Sequence, residues 1–349
     1  MAPDSSLWRH QLGGFRTGHE RNTMLRAVVL VFFSLFIFML HAQARAESSE
    51  FPGVLAALSS SHDSARSEVH GSSVALPLPP DAVKGTPAVL WRNRIQIPIN
   101  EPLIQKYIRF YQGQGRRTFT EAMERSKICV PQMTEILESH GVPGEMVAIV
   151  FIESHFERSA SYRGAGGYWQ MLASTAKNLG LKVDRWVDER RDPIKSTKAA
   201  AKYLKTLYEQ HGSWCMALAA YNAGSRPVIS AANRCAKDWV LNGHKSLPAR
   251  SRVYVSKVLA VMKIMREPEI YGFESPKYCK PKGFDPVMVK TSIKLEDVAK
   301  WIDVPVSQLQ ELNPSLRQNT MPPNSGYALR LPSGSRERFI PAYGEYTRR

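Results

Sequence analysis

From Glu101 to Arg266 the sequence holds almost no alternation of apolar and polar residues. This constrains the fold most, because alternation is what a half-buried strand requires. Apolar residues recur at helical spacing instead. Leu103, Ile104, Tyr107, Ile108 and Tyr111 mark one helix within 101–112. Further helices are expected from Met133 and over 145–156, 193–208, 214–222 and 253–265. Asp192 followed by Pro193 forms an N-cap and first-turn pair. Gly224 is a stop signal, and GVPG at Gly141 to Gly144 breaks one helix from the next. The pattern predicts a mainly α domain over residues 91–280.

After Pro268, Pro276, Pro281 and Pro286 the pattern changes. Val287 to Val289 and Tyr327 to Leu331 read as strands, and Leu295 to Trp301 and Val306 to Leu312 as short helices. This predicts a small βααβ domain over 285–333, near the lower size limit for independent folding. Residues 334–349 read as a frayed basic tail. Residues 47–90, with SSSHDSARSEVHGSS and ALPLPPDAVKGTP, read as a flexible linker.

At the N-terminus, Met24-Leu25-Arg26 precedes an apolar run from Ala27 to Leu40, then Ala-Arg-Ala at Ala44 to Ala46. The run is shorter than the about 20 residues a spanning helix needs. Residues 1–46 therefore read as a cleavable secretory signal, with Met24 as an alternative start. An uncleaved signal anchor is the alternative and the one membrane attachment expected. No cysteine for lipid attachment lies near the cleavage site. The net charge of +16, from 47 basic and 31 acidic residues, suits an anionic partner. Export argues against nucleic acid and for the cell envelope. It also makes disulfides plausible among Cys129, Cys215, Cys235 and Cys279. The expected pair is Cys215 with Cys235, which leaves Cys129 with Cys279; free thiols are the alternative. Their spacing is not that of a zinc site.

One carboxylate stands out. Met146, Ile149 and Val150 fall on the same helix face as Glu153. A carboxyl against such neighbours is desolvated, its pKa rises, and it can serve as a general acid. Gly164, Gly166 and Gly167 follow, and would let a ligand approach the backbone. Trp169 offers a flat face for a sugar ring, and Gln170 offers amide hydrogen bonds. The plainer alternatives are a solvent-facing glutamate, an ordinary turn and a core tryptophan.

These residues carry a family resemblance. Glu153-Ser154, GAGGYWQ at Gly164 to Gln170, ALAAYNAG at Ala217 to Gly224 and SRVYV at Ser251 to Val255 occur in the order of the soluble-lytic-transglycosylase domain. That family is related to goose-type lysozyme, and the segment looks closest to its membrane-bound murein transglycosylase D branch. The resemblance covers about Ile97 to Phe273 and implies a lysozyme-like α-helical catalytic domain. It implies Glu153 as catalytic acid and then base. Ser154, Gly164, Gly167, Trp169, Gln170, Tyr221, Asn222 and Tyr254 are implied to bind or frame the sugar. Ala173 and the Ser225 to Val228 turn depart from the family pattern at the cleft rim. Val287 to Pro332 resembles a glycan-binding LysM module, without the usual Gly-Asp-Thr of its first turn.

The implied substrate is the glycan strand of peptidoglycan, cut by a monomer without metal or organic cofactor. Asp184, Asp188, Glu189 and Asp192 are interleaved with Arg185, Arg190 and Arg191, and read as caps and ion pairs rather than a cation site. His155, next to Glu153, is expected to point elsewhere. The rival readings are a hydrolysing lysozyme and a non-catalytic wall-binding protein. The first needs a second carboxylate, for which Glu157 is the nearest candidate.

Overall fold

Among the described residues, nine helices of the first domain follow the helical spacing or arise beside it. They are α1 (Pro102–Gln112), α2 (Arg116–Ser126), α3 (Val130–Ser139), α4 (Ala148–Ser154), α5 (Ala173–Asn178), α6 (Pro193–His211), α7 (Trp214–Ala223), α8 (Ser225–Asn233) and α9 (Ala249–Arg266). The computed structural model describes residues 95–98, 100–233, 247–279, 283–323 and 326–348. The expected signal segment and linker lie outside the described residues. Among those residues no helix is long and apolar enough to cross a membrane.

Helix α1 buries Ile104, Ile108 and Tyr111, spaced four and three apart. Helix α6 starts where the sequence signals it: the Asp192 carboxylate accepts from the backbone N–H groups of Ile194 and Lys195, both at 2.9 Å. Two of its four orphan donors are thereby satisfied. Helix α9 is buried around much of its circumference, through Tyr254, Val255, Val258, Leu259, Val261, Met262 and Met265. It packs against α1, α4 and α7. Near its end, Arg266 pairs with buried Glu145 at 2.7–2.8 Å, and Glu145 also accepts from the Ile95 N–H. The entering chain is thus tied to the central helix.

Helices α2, α5 and α8 are not in the expected list. Helix α2 buries Ala122 and Ser126 beside Phe119 and Met123, so its inner face is too small and polar to read as an apolar stripe. Between α4 and α5 lies a three-stranded antiparallel meander, β1 (Ser161–Tyr162), β2 (Ala165–Gly166) and β3 (Met171–Leu172). Tyr162 pairs with Ala165, and Gly166 with Met171. Two-residue strands leave no alternation to detect.

The second core belongs to β4 (Phe284–Val289), α10 (Leu295–Ile302), α11 (Val306–Leu312) and β5 (Tyr327–Pro332). β4 and β5 pair antiparallel, with Val287 opposite Leu329. The expected frayed tail is instead helix α12 (Arg336–Arg348). Phe339 is fully buried and stacks on Tyr343 at 5.3 Å, close to Trp301. An aromatic stripe at helical spacing within a basic segment gives α12 its docking face.

The small domain is not a separate bead. Val187, from the segment before α6, lies in its core and bridges Leu316. The Asp188 N–H donates to the Ser315 carbonyl at 2.7 Å, and the Arg317 N–H to that of Trp186 at 2.8 Å. Arg330 Nη2 lies 2.7 Å from Asp192 Oδ2, with the two side chains 13% and 2% exposed. Breaking a buried pair by removing one partner typically costs about 3–5 kcal/mol. Arg330→Gln is therefore expected to lower unfolding free energy by about 3 kcal/mol in urea titration, and a loss below about 1 kcal/mol would show the pair to be solvated.

Candidate active site

Glu153 stands in the last turn of α4, above Met146, Ile149 and Val150, all fully buried. It remains partly accessible itself. The Tyr254 hydroxyl, on α9, donates to Glu153 Oε1 at 2.7 Å. Burial pushes the Glu153 carboxyl up from 4.5 to about 7, and the Tyr254 hydrogen bond opposes the rise without cancelling it. Burial, with the Glu153 charge second, holds the phenols of Tyr254 and Tyr221 well above their ordinary range. Tyr254 thus stays a donor to whichever state the carboxyl adopts.

The chain leaves α4 in strained conformations. His155 and Phe156 have φ of 50° and 61°. Of the five non-glycine residues with positive φ among the described residues, four lie between His155 and Gln170. Each costs about 1–3 kcal/mol and persists only where the surroundings over-determine it. Here Arg125 Nε donates to the His155 carbonyl at 2.8 Å, and Phe156 is buried. The His155 ring meets the Phe151 ring edge-on at 5.3 Å.

Arg190 shapes the meander that follows. Its guanidinium pairs with both carboxylate oxygens of Asp188 at 2.9 Å. Its Nη1 donates to the carbonyls of Gly164 and Met171, both at 2.8 Å. A Cβ on Gly167 would lie 1.9 Å from the Arg190 carbonyl oxygen, and one on Gly166 would lie 3.1 Å from the guanidinium. The close approach that these two glycines permit is therefore to Arg190, not to a ligand. Gly164, with φ 85°, has open space at its missing Cβ.

Other expected contacts also turn inward. Trp169 is 1% exposed, and its indole N–H donates to the Thr197 hydroxyl at 3.0 Å, so its ring face is closed to a sugar. Both amide hydrogens of Gln170 are engaged, by the carbonyls of Ala160 and Gly167 at 2.9 and 2.8 Å. The buried Ser154 hydroxyl lies 3.0 and 2.8 Å from the carbonyls of Val150 and Tyr168. The Tyr221 hydroxyl donates to the Trp169 carbonyl at 2.7 Å. Ser154, Trp169 and Tyr221 tie the loop to α4, α6 and α7, and Gln170 braces it internally. Asn222, next to Tyr221, is half-buried and makes no side-chain hydrogen bond among the described residues.

Sequence reasoning missed Arg190 and Thr197 as framework residues. A DERRD run gives no sign that one arginine turns inward and the next does not. The run does behave as caps and ion pairs: Asp188 with Arg190, Glu189 with Lys195, and Asp192 on α6. Glu157 is exposed and lies 3.9 Å from Arg125 Nη2. Cys129, Cys215 and Cys279 are free thiols, and Cys235, the expected partner of Cys215, lies outside the described residues.

Comparison with known proteins gives two family matches. Residues 134–238 match the Transglycosylase SLT domain, and residues 283–346 the LysM-like domain of lytic transglycosylase MltD. Membrane-bound lytic murein transglycosylase D of Escherichia coli (strain K12) is 30% identical over 193 residues, 53% of this chain and 42% of that relative. The chain thus spans less than half the length of that relative. Among solved structures, the 70 kDa soluble lytic transglycosylase of Escherichia coli is 23% identical over 42% of this chain and 25% of its own, with a TM-score of 0.34. Lytic transglycosylase Slt of Pseudomonas aeruginosa is 21% identical over the same shares, with a TM-score of 0.33. By the family matches, residues 134–238 of the mainly α domain are similar to the SLT domain, and the small βααβ domain is similar to the LysM-like one.

The raised carboxyl has a stability signature. Below pH 4.5, the ordinary value, Glu153 is protonated in both folded and unfolded chains. Between 4.5 and about 7 the unfolded carboxyl ionises while the folded one resists, so folding weakens as pH rises. Glu153→Gln removes that loss. Its melting temperature is expected to exceed that of the unsubstituted chain at pH 8 and to match it below pH 4.5. An advantage that did not change with pH would mean that the carboxyl titrates normally.

Proposed function

We propose, from an SLT-type domain followed by an MltD-type LysM-like domain, that this chain is an exported peptidoglycan lytic transglycosylase. Its substrate is the glycan strand, cut at the β-1,4 bond between N-acetylmuramic acid and N-acetylglucosamine. The supporting observation is a desolvated carboxyl, Glu153, whose side-chain partner is a phenol, where the buried Glu145, Asp188 and Asp192 are paired with arginines. A hydrolase with two carboxylates needs them about 5–9.5 Å apart across the bond. Glu157, the nearest in sequence, is exposed beside Arg125 instead.

A single acid suffices when the substrate brings its own nucleophile. Protonated Glu153 gives its proton to the glycosidic oxygen as the bond to carbon 1 of the muramic sugar breaks. The Glu153 carboxylate then takes the proton of that sugar's hydroxyl at carbon 6 as its oxygen closes on carbon 1. The product is a 1,6-anhydro sugar, and the acid is restored. No metal or cofactor enters these steps. Intramolecular attack replaces the encounter with water, an advantage worth about 7 kcal/mol or more in well-oriented cases. Tyr254 orients the carboxyl, and Asn222 supplies the free amide for a sugar substituent. Ser154, Gln170, Trp169 and Tyr221 act as positioning residues.

The catalytic domain is assigned to 91–280 and the glycan-binding LysM-like domain to 285–333, with α12 now part of the latter's packing. The protein works as a monomer in the periplasm, held to the membrane only where its signal stays uncleaved. Glu153→Gln is expected to lower turnover on purified sacculi by about 10²–10⁴ while the fold persists. Mass spectrometry of the digest should show anhydro ends. Predominantly reducing ends would replace this reading with the hydrolase one.

A further inference from the structure

We propose that the cavity between the two domains is a binding site for a carboxylate-bearing peptide, the stem peptide of the wall polymer. The cavity measures about 350 Å³, inside the usual range of about 300–1,000 Å³ for small-ligand sites. Arg158, Ser159 and Arg191 line it from the helical domain, and Leu295, Gln310 and Leu316 are among those from the small one. No acidic residue lines it.

The arginines set this cavity apart. Four cations nearby are matched: Arg190 with Asp188, Lys195 with Glu189, Arg330 with Asp192, Arg125 with Glu157. Arg158 and Arg191, which line the cavity itself, are not. Neither makes an ion pair or a side-chain hydrogen bond among the described residues. Arg191 exerts a longer-range pull on Asp188, but both oxygens of that carboxylate are already taken by Arg190. Two unmatched guanidiniums on one concave surface create a positive potential that an anion relieves. Guanidinium binds carboxylate and phosphate in paired hydrogen bonds, so either could neutralise them.

The walls suit the carboxylate and amide groups of a peptide. Ser159, Gln310 and Asn319 add polar groups beside the arginines, and Leu316 adds an apolar edge backed by buried Leu295 and Pro314. Asn313 forms a fixed part of the lining, because it is buried and its amide is fully engaged. It donates to the carbonyls of Leu309 and Arg330 and accepts the Arg330 N–H. Arg191 is fixed too, on the short turn between Asp188 and Asp192 that both domains grip. Arg158 follows Glu153 by five residues, in the strained loop that leaves α4. A strand bound for cleavage carries its peptide on the sugar whose bond is cut, so a peptide site reached from that loop would favour peptide-bearing strands. That last consequence rests on the function proposed above; the anion site does not.

The test is calorimetric titration of the full chain with a free stem tetrapeptide at low salt. Binding is expected at millimolar or lower concentration, weakening as salt rises. The same peptide with every carboxylate blocked as an amide should bind at least tenfold more weakly. Arg158→Gln combined with Arg191→Gln should weaken the free peptide at least tenfold, with an unchanged melting curve. Equal binding of the blocked peptide, or no binding of the free peptide up to about 10 mM, would overturn the proposal. A well-folded double variant that bound as the unsubstituted chain does would also overturn it. Inorganic phosphate binding as tightly as the peptide would reduce the cavity to a general anion site and defeat the peptide assignment. Because titration needs no turnover, a chain without transglycosylase activity that still bound the peptide would sink the functional reading alone.

Discussion

A buried guanidinium, that of Arg190, joins the parts on which the site depends. Its carboxylate partner Asp188 sits in the segment that the small domain grips, and its Nη1 bonds the β1–β2 turn at Gly164 and β3 at Met171. The meander in turn supplies the carbonyls of Tyr168 and Trp169, to which Ser154 and Tyr221 attach. So the position of the helix end bearing Glu153 is set through one chain of hydrogen bonds that begins at a charge. A buried ion pair is a poor source of net stability compared with apolar packing, since desolvating both charges is costly. Its value here is directional. Four donated bonds of fixed geometry define where a glycine-rich loop lies, which apolar contacts alone would leave loose.

The same trade appears at Glu153. The apolar face beneath it resists ionisation, and the Tyr254 hydrogen bond favours it. Desolvation wins, by roughly 3 kcal/mol at one pKa unit per 1.36 kcal/mol. An acid poised near 7 holds its proton for an incoming leaving group and releases it readily enough to act as base afterwards. The cost appears elsewhere as lost stability above neutrality and as left-handed backbone at His155 and Phe156.

How much of this was legible follows from how each feature is encoded. Helices α1, α6, α7 and α9 follow from apolar spacing and end signals, because burial and capping are local and periodic. Glu153 was legible for the same reason: three buried neighbours at helical intervals define its environment. Trp169 was misread because a tryptophan's sequence neighbours do not reveal that Thr197, 28 residues on, awaits its N–H. Arg190 stayed hidden because its partners are backbone carbonyls, which every residue carries. The frayed-tail reading missed α12 because charged residues masked an aromatic stripe that needs the small domain's surface to become meaningful.

The junction was the least legible of all, and it changes how the two domains relate. Sequence marks a small domain by its own pattern, and the pattern ends near its strands. Yet Val187, far upstream, completes the small core, and Asp192 both caps α6 and neutralises Arg330. A residue that caps a helix in one domain and pairs a buried charge from the other cannot be satisfied by either alone. Docking is therefore coupled to the first turn of α6, and through Arg190 to the meander. The two domains then share a fixed register, not a tether. At that junction the unmatched guanidiniums of Arg158 and Arg191, from the helical domain, share one cavity with Leu295 and Leu316 from the small one, so the cavity exists only while the domains keep that register.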